Sequence, residues 1–186
     1  MKYETLMQEA LIEAGKARDD GDWAIGCVIA LDGEVIARGR NRVRSTRNRL
    51  AHAEIEAISE IQSDHFEHDR NNEMVVVSTF ETCPMCFGAV ILNGIRTVVS
   101  GVNLDQSGAS SLVEALPPHF QQPRYATRLV TGILQRDCAE MWMSSDPAQS
   151  MLLAGQGKSL DIRTLTNDGP IVTYETTTHN EPDVIV

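Results

Sequence analysis

Along the first 143 residues, apolar positions alternate between a helical and a strand-like rhythm. Leu6, Met7, Ala10, Leu11, Ala14 and Ala17 recur every three or four positions and predict an amphipathic helix over 3–18. Residues 24–31 are an apolar run of strand length. Asp32-Gly33 is a hairpin signal, and 34–38 reads as the return strand. An arginine-rich loop follows over 39–49. Helical spacing returns at Leu50, Ile55, Ile58 and Ile61, predicting a helix over 50–62. Residues 63–73 are polar and read as a loop. Met74–Phe80 reads as a buried strand, Pro84–Leu92 as a helix closed by Asn93-Gly94, and Thr97–Val102 as another strand. A loop rich in Ser, Gly and Pro comes next, and 124–143 reads as a last amphipathic helix.

Helices alternating with strands behind an opening hairpin predict an α/β fold, a three-layer α/β/α sandwich on a mixed sheet, over residues 1–143. From residue 144 the pattern changes. Large apolar residues become sparse, and Asp146, Asp161, Asp168, Glu175, Glu181 and Asp183 face only Lys158 and Arg163. Residues 144–186 read as an acidic C-terminal extension, either flexible or holding a hairpin around Asn167-Asp168-Gly169.

Composition narrows the class. With 186 residues, 42% hydrophobic and 23% charged, the chain can bury a substantial core. No apolar run approaches the roughly 20 residues of a membrane span. The N-terminus shows no signal-peptide pattern, so a cytoplasmic location is expected. In a reducing compartment, a close cysteine pair points to a metal site more than to a disulfide. Cys27 and Cys138 lie in apolar patterns and read as core residues. A net charge of −10 argues against broad attraction to nucleic acid. The distribution qualifies this, because six of the sixteen basic residues (Arg38, Arg40, Arg42, Arg44, Arg47 and Arg49) lie in a twelve-residue stretch without an acid. They form either a solvated polar loop or a rim that binds phosphate.

The candidate chemistry lies in two short runs, Ala51-His52-Ala53-Glu54-Ile55 and Cys83-Pro84-Met85-Cys86. One imidazole and two thiolates make three ligands for Zn²⁺, leaving the fourth tetrahedral position open, as in catalytic sites. Pro84 suits the first turn of a helix, which puts the thiols at its N-terminus, where the dipole favours the anionic form. His52 and Glu54 are expected on the first turns of the preceding helix. Zinc lowers the pKa of bound water from 15.7 to about 7. Glu54 could accept that water's proton and pass it on as a general acid/base. His-x-Glu followed by Cys-x-x-Cys is the arrangement of zinc deaminases. A purely structural zinc would need a fourth ligand. His65, His68, His119 and His179 could supply one, though each reads more simply as a loop residue. Trp23 could stack on a base or serve only in packing.

These runs, with Gly26-Cys27-Val28-Ile29, Gly39-Arg40-Asn41, Glu81-Thr82-Cys83-Pro84-Met85-Cys86-Phe87-Gly88-Ala89 and Gly94-Ile95-Arg96-Thr97-Val98-Val99, resemble the cytidine deaminase-like superfamily. Within it they resemble the branch of tRNA adenosine deaminase, guanine deaminase and cytosine deaminase. The resemblance covers roughly residues 3–142. It implies a mixed five-stranded sheet, zinc as cofactor, Asn41 hydrogen-bonding the base, Phe80 lining the pocket, and a homodimer. It departs from the family at three places. Thr82 stands where Pro is usual before the first Cys, no basic residue lies between Arg136 and Lys158, and Leu104 replaces an expected acid.

The reading that follows is a zinc-dependent hydrolytic deaminase of a small-molecule nucleobase, as the free base or in a nucleoside. Deamination of the tRNA wobble adenosine to inosine is the alternative, and a non-catalytic zinc scaffold of the same fold is a further one.

Overall fold

The computed structural model describes residues 2–68, 73–103, 108–113, 115–145, 166–167, 169 and 172–175. Helix α1 (Lys2–Asp19) leads into the hairpin β1 (Gly26–Leu31) and β2 (Glu34–Arg40). Asp32 and Gly33 join the strands at φ 54° and 86°, the paired positive values of a type I′ turn. Then come α2 (Val43–Thr46), α3 (Ala53–Ser59), α4 (Ser63–His68), β3 (Val75–Phe80), α5 (Pro84–Leu92) and β4 (Thr97–Val102). After three short 3₁₀ turns, β5 (Arg128–Thr131), α6 (Gln135–Ser145) and β6 (Val172–Glu175) complete the described elements.

The strands form one mixed sheet in the order β2-β1-β3-β4-β5-β6. β3, β4 and β5 run parallel, and β2, β1 and β6 extend the sheet through antiparallel pairings. Alternate residues of the central strands serve two cores. Cys27, Ile29, Val76 and Val98 pack with Ala53 and Ala57 of α3 and Phe87, Val90 and Ile91 of α5. Val28, Ala30, Val75, Val77 and Val99 pack with Leu6, Met7 and Ala10 of α1 and Cys138 and Ala139 of α6. This is the expected three-layer α/β/α sandwich. Near-continuous apolar runs in β1 and β3 follow from burial on both faces.

Four expectations are corrected. Residues 124–143 are not one helix: β5 occupies Arg128–Thr131, and α6 begins only at Gln135. Gly132 at φ 95° and Leu134 at φ 47° turn the chain between them, conformations a continuous helix cannot hold. Ser63–His68 is helical rather than loop. The helix predicted over 50–62 is shorter, Ala53–Ser59, and the arginine stretch contains the end of β2 and all of α2. Five of the strands match the expected five-stranded sheet, and a sixth comes from beyond residue 143. Leu104, Asp168 and His179 lie outside the described residues.

One glycine decides where the functional helix sits. A Cβ on Gly39 of β2 would lie 2.1 Å from the Ala53 carbonyl oxygen and 2.4 Å from the Ala57 nitrogen. Only a bare Cα lets the backbone of α3 rest directly on the sheet.

Candidate active site

His52 and Cys83 hold the same structural position on two neighbouring helices. Each is an N-cap with extended backbone, His52 before α3 and Cys83 before α5. Their carbonyls accept the first helical N–H groups, from Glu56 and Phe87, at 2.9 Å. Neither side chain makes a capping hydrogen bond. Both side chains therefore remain available to an external partner. Cys86 joins them from the first turn of α5, where Pro84 costs no hydrogen bond.

The three side chains form a nearly equilateral triangle. Cys83 Sγ lies 3.7 Å and Cys86 Sγ 3.6 Å from His52 Nδ1, and the sulfurs are 3.5 Å apart. Ligands about 2.3 Å (S) and about 2.0–2.1 Å (N) from a tetrahedral zinc lie about 3.5–3.8 Å from one another. The triangle thus fits that ion. Among the described residues no fourth His, Cys, Asp or Glu joins this group. His119 instead packs against Phe120 and Tyr125, and the side chain of His68 is outside the description.

The electrostatics agree. Contact with Cys86, then with His52, holds the Cys83 thiol down to about 4. Contact with Cys83 and burial push Cys86 up. The Cys83 contact also raises His52. Of the two thiols Cys83 is the one favoured as thiolate, and a divalent cation held by both would deprotonate its thiol ligands outright.

Glu54 is buried, 4% exposed, and reaches the sheet rather than solvent. Ser78 Oγ of β3 donates to its Oε1 at 3.0 Å. Burial raises its carboxyl above the usual range, which suits a group that must both take and give a proton. The sequence pattern did not single out Ser78. Its only cue was a polar residue on the same strand face as Val76, five positions before Cys83.

Asn41 is buried at the end of β2. Its N–H donates to the Ile25 carbonyl at 2.9 Å, and its Oδ1 accepts from Val43 N–H at 3.2 Å. Arg42 N–H donates to the Ala51 carbonyl at 2.9 Å, which draws Asn41 toward His52. Phe80 packs with the α1/α6 core, its ring centroid 5.1 Å from that of Trp142. These contacts join it to the layer opposite α3 and α5.

Thr82 is buried, and its carbonyl accepts the Ala109 N–H at 2.9 Å. Beside it, Gly108 lies so close to the Glu81 carboxylate that a Cβ there would come 2.1 Å from Cδ. The segment after β4 is thereby pinned to the turn that bears the cysteines. Cys27 and Cys138 are buried core residues whose thiols burial pushes up.

The pattern of the cytidine and deoxycytidylate deaminase zinc-binding region matches residues 1–102. A tRNA-specific adenosine deaminase of Bacillus subtilis is 34% identical over 140 residues, covering 74% of this chain and 84% of the relative. A solved structure from work on A-to-I editing by tRNA:A34 deaminases superimposes with a TM-score of 0.60 at 31% identity, over 74% of this chain and 98% of that one. A guanine deaminase from Nitrosomonas europaea gives 0.57 at 28%, over 76% and 84%. More than half of the chain thus carries the family's zinc-binding pattern, and the three residues that would ligate the ion meet at tetrahedral spacing. The chain belongs to the cytidine and deoxycytidylate deaminase family, as a zinc-dependent hydrolytic deaminase.

Proposed function

We propose that this chain deaminates adenosine to inosine at the wobble position of tRNA. The deaminase chemistry rests on one observation, the His52–Cys83–Cys86 triangle with the buried Glu54 beside it. The substrate assignment draws on relatives named tRNA-specific adenosine deaminase that align over most of their own length.

In this reading His52, Cys83 and Cys86 hold the zinc. The ion supplies Lewis acidity and brings the pKa of water to about 7. Glu54 accepts the proton of the attacking water at its carboxylate. It returns that proton to the ring nitrogen, takes a second from the newly added C–O–H and passes it to the amino group, which leaves as ammonia as the C–N bond breaks and the ring carbon keeps the oxygen. Ser78 keeps the carboxylate oriented throughout. Asn41, fixed by its backbone and side-chain hydrogen bonds, contacts the base. Phe80 as a pocket-lining residue draws on family resemblance rather than on its contacts.

A second reading, a free purine base or nucleoside as substrate, is favoured by the net charge of −10 and by the absence of Lys or Arg between Arg136 and Lys158. Zinc-loaded protein incubated with an adenosine-34 anticodon stem-loop, adenosine, adenine, guanine and cytosine separates the two. The proposal expects inosine in the stem-loop with little ammonia from the small molecules. Ammonia from a free base alone would overturn it. Residues 1–143 as the catalytic domain, 144–186 as an extension, a homodimer and a cytoplasmic location complete the proposal. Light scattering tests the dimer. Among the described residues no helix is long and apolar enough to cross a membrane.

A further inference from the structure

Five of the six arginines ahead of His52 fall into two groups, and Arg44 stacks on Trp23. Arg38 pairs with Glu9 at 2.8 Å and Glu13 at 3.9 Å, Arg40 with Asp20 at 3.0 Å, and Arg42 with Glu56 at 3.4 Å. These three are balanced within the chain. Arg47 and Arg49 are exposed, and among the described residues their guanidinium groups enter no ion pair or hydrogen bond.

The loop that carries them is held in shape from several directions. The buried Asp22 carboxylate accepts Arg44 N–H at 2.6 Å and Ser45 N–H at 3.1 Å through Oδ1. Asn41 Oδ1 accepts Val43 N–H, and the Arg42–Ala51 bond closes the base of the loop one residue before His52. The Arg44 guanidinium lies 5.0 Å from the centre of the Trp23 ring. Arg47 itself sits at φ 54°, the left-handed region where glycine would be unstrained. A long cationic side chain thus occupies a position whose backbone favours none. Leu50, 59% exposed, adds an apolar surface beside the two charges. On a chain of net charge −10, this is a small cationic patch on a preformed support, three to five positions ahead of His52 in the chain.

We propose that Arg47 and Arg49 clamp the phosphates of single-stranded RNA flanking the target nucleotide. Guanidinium forks match phosphate oxygens, and a loop already in shape loses little freedom when the strand arrives. The clamp rests on the tRNA reading above and assigns its backbone contacts to two residues.

The test measures binding of the zinc-loaded protein to a fluorescent anticodon stem-loop across a salt series. Each single-strand phosphate neutralised contributes a slope of about 0.7 in log K against log salt, so Arg47→Gly/Arg49→Ala should flatten the slope by about 1.4. In turnover of the same stem-loop, KM should rise while kcat holds. Glycine suits the positive φ at 47, so the melting temperature and zinc content should stay near wild type. Arg38→Ala, which removes a balanced arginine, should leave the slope unchanged. An unchanged slope in the double variant, or an equal flattening in Arg38→Ala, overturns the clamp and leaves the tRNA reading standing. No stem-loop binding by the wild type at low salt overturns both.

Discussion

At the residue scale, the two N-caps carry the argument. Asn, Asp, Ser and Thr are the usual N-cap residues because their side chains bond to the first turn. His52 and Cys83 occupy that position without doing so, which leaves two helix starts whose side chains are free to hold an ion. Cys86→Ala should leave too few ligands, and metal analysis should find little zinc. Wild-type stoichiometry would contradict the assignment. Glu54→Gln keeps size and burial but removes the proton acceptor. Zinc content should hold while kcat falls by about 10²–10⁴, and a turnover near wild type would remove Glu54 from the chemistry. Ser78→Ala leaves the buried carboxylate short of one donor. Turnover should fall less than in Glu54→Gln, with zinc retained. The meeting of His52, Cys83 and Cys86, with Glu54 two positions past the histidine, was legible in the sequence because metal ligation demands particular residue types at short spacings. Ser78 was not. Its role depends on strand register and on a carboxylate 24 positions away, neither of which local spacing encodes.

At the scale of elements, α3 and β2 act as one unit. Gly39→Ala would push a methyl group into the Ala53 carbonyl, and α3 would have to move. Overpacking of this kind costs about 1–3 kcal/mol, and here it also shifts His52 and Glu54. The melting temperature and kcat should therefore fall together, and a variant with wild-type values of both would show that the close approach is dispensable. Helices α1 and α5 and the hairpin were readable from apolar spacing and turn residues. β5 was not, because a four-residue strand is too short to show a period and lies against helix-compatible flanks. Gly132 held the missed cue. Ser63–His68 went unread because a single polar turn has no apolar face to announce it.

At the scale of the whole molecule, β6 ties the C-terminal region to the sheet. Arg128 through Thr131 pair with Glu175 through Val172 along the full length of β5. Truncation after residue 145 should lower the melting temperature and promote association, since it bares the backbone of β5. A truncated protein as stable and monodisperse as the parent would make the pairing incidental. Composition could not show this strand, because the surrounding stretch is polar and acidic and the pairing is set by the partner. Zinc is linked to stability at the same scale. Its ligands span two helices, so binding to the folded form alone raises stability as free metal increases. Chelator should lower the melting temperature in proportion, and an indifferent melting curve would argue against a bound ion.

The order of the sheet leaves β2 as an outer strand. A strand in that place offers a row of unpaired backbone groups to any other chain, and charges along it discourage such docking. Arg38 and Arg40, already balanced by Glu9, Glu13 and Asp20, stand on that strand. Charged side chains on an outer strand are one of the ways proteins discourage growth of one copy, strand upon strand, onto the next.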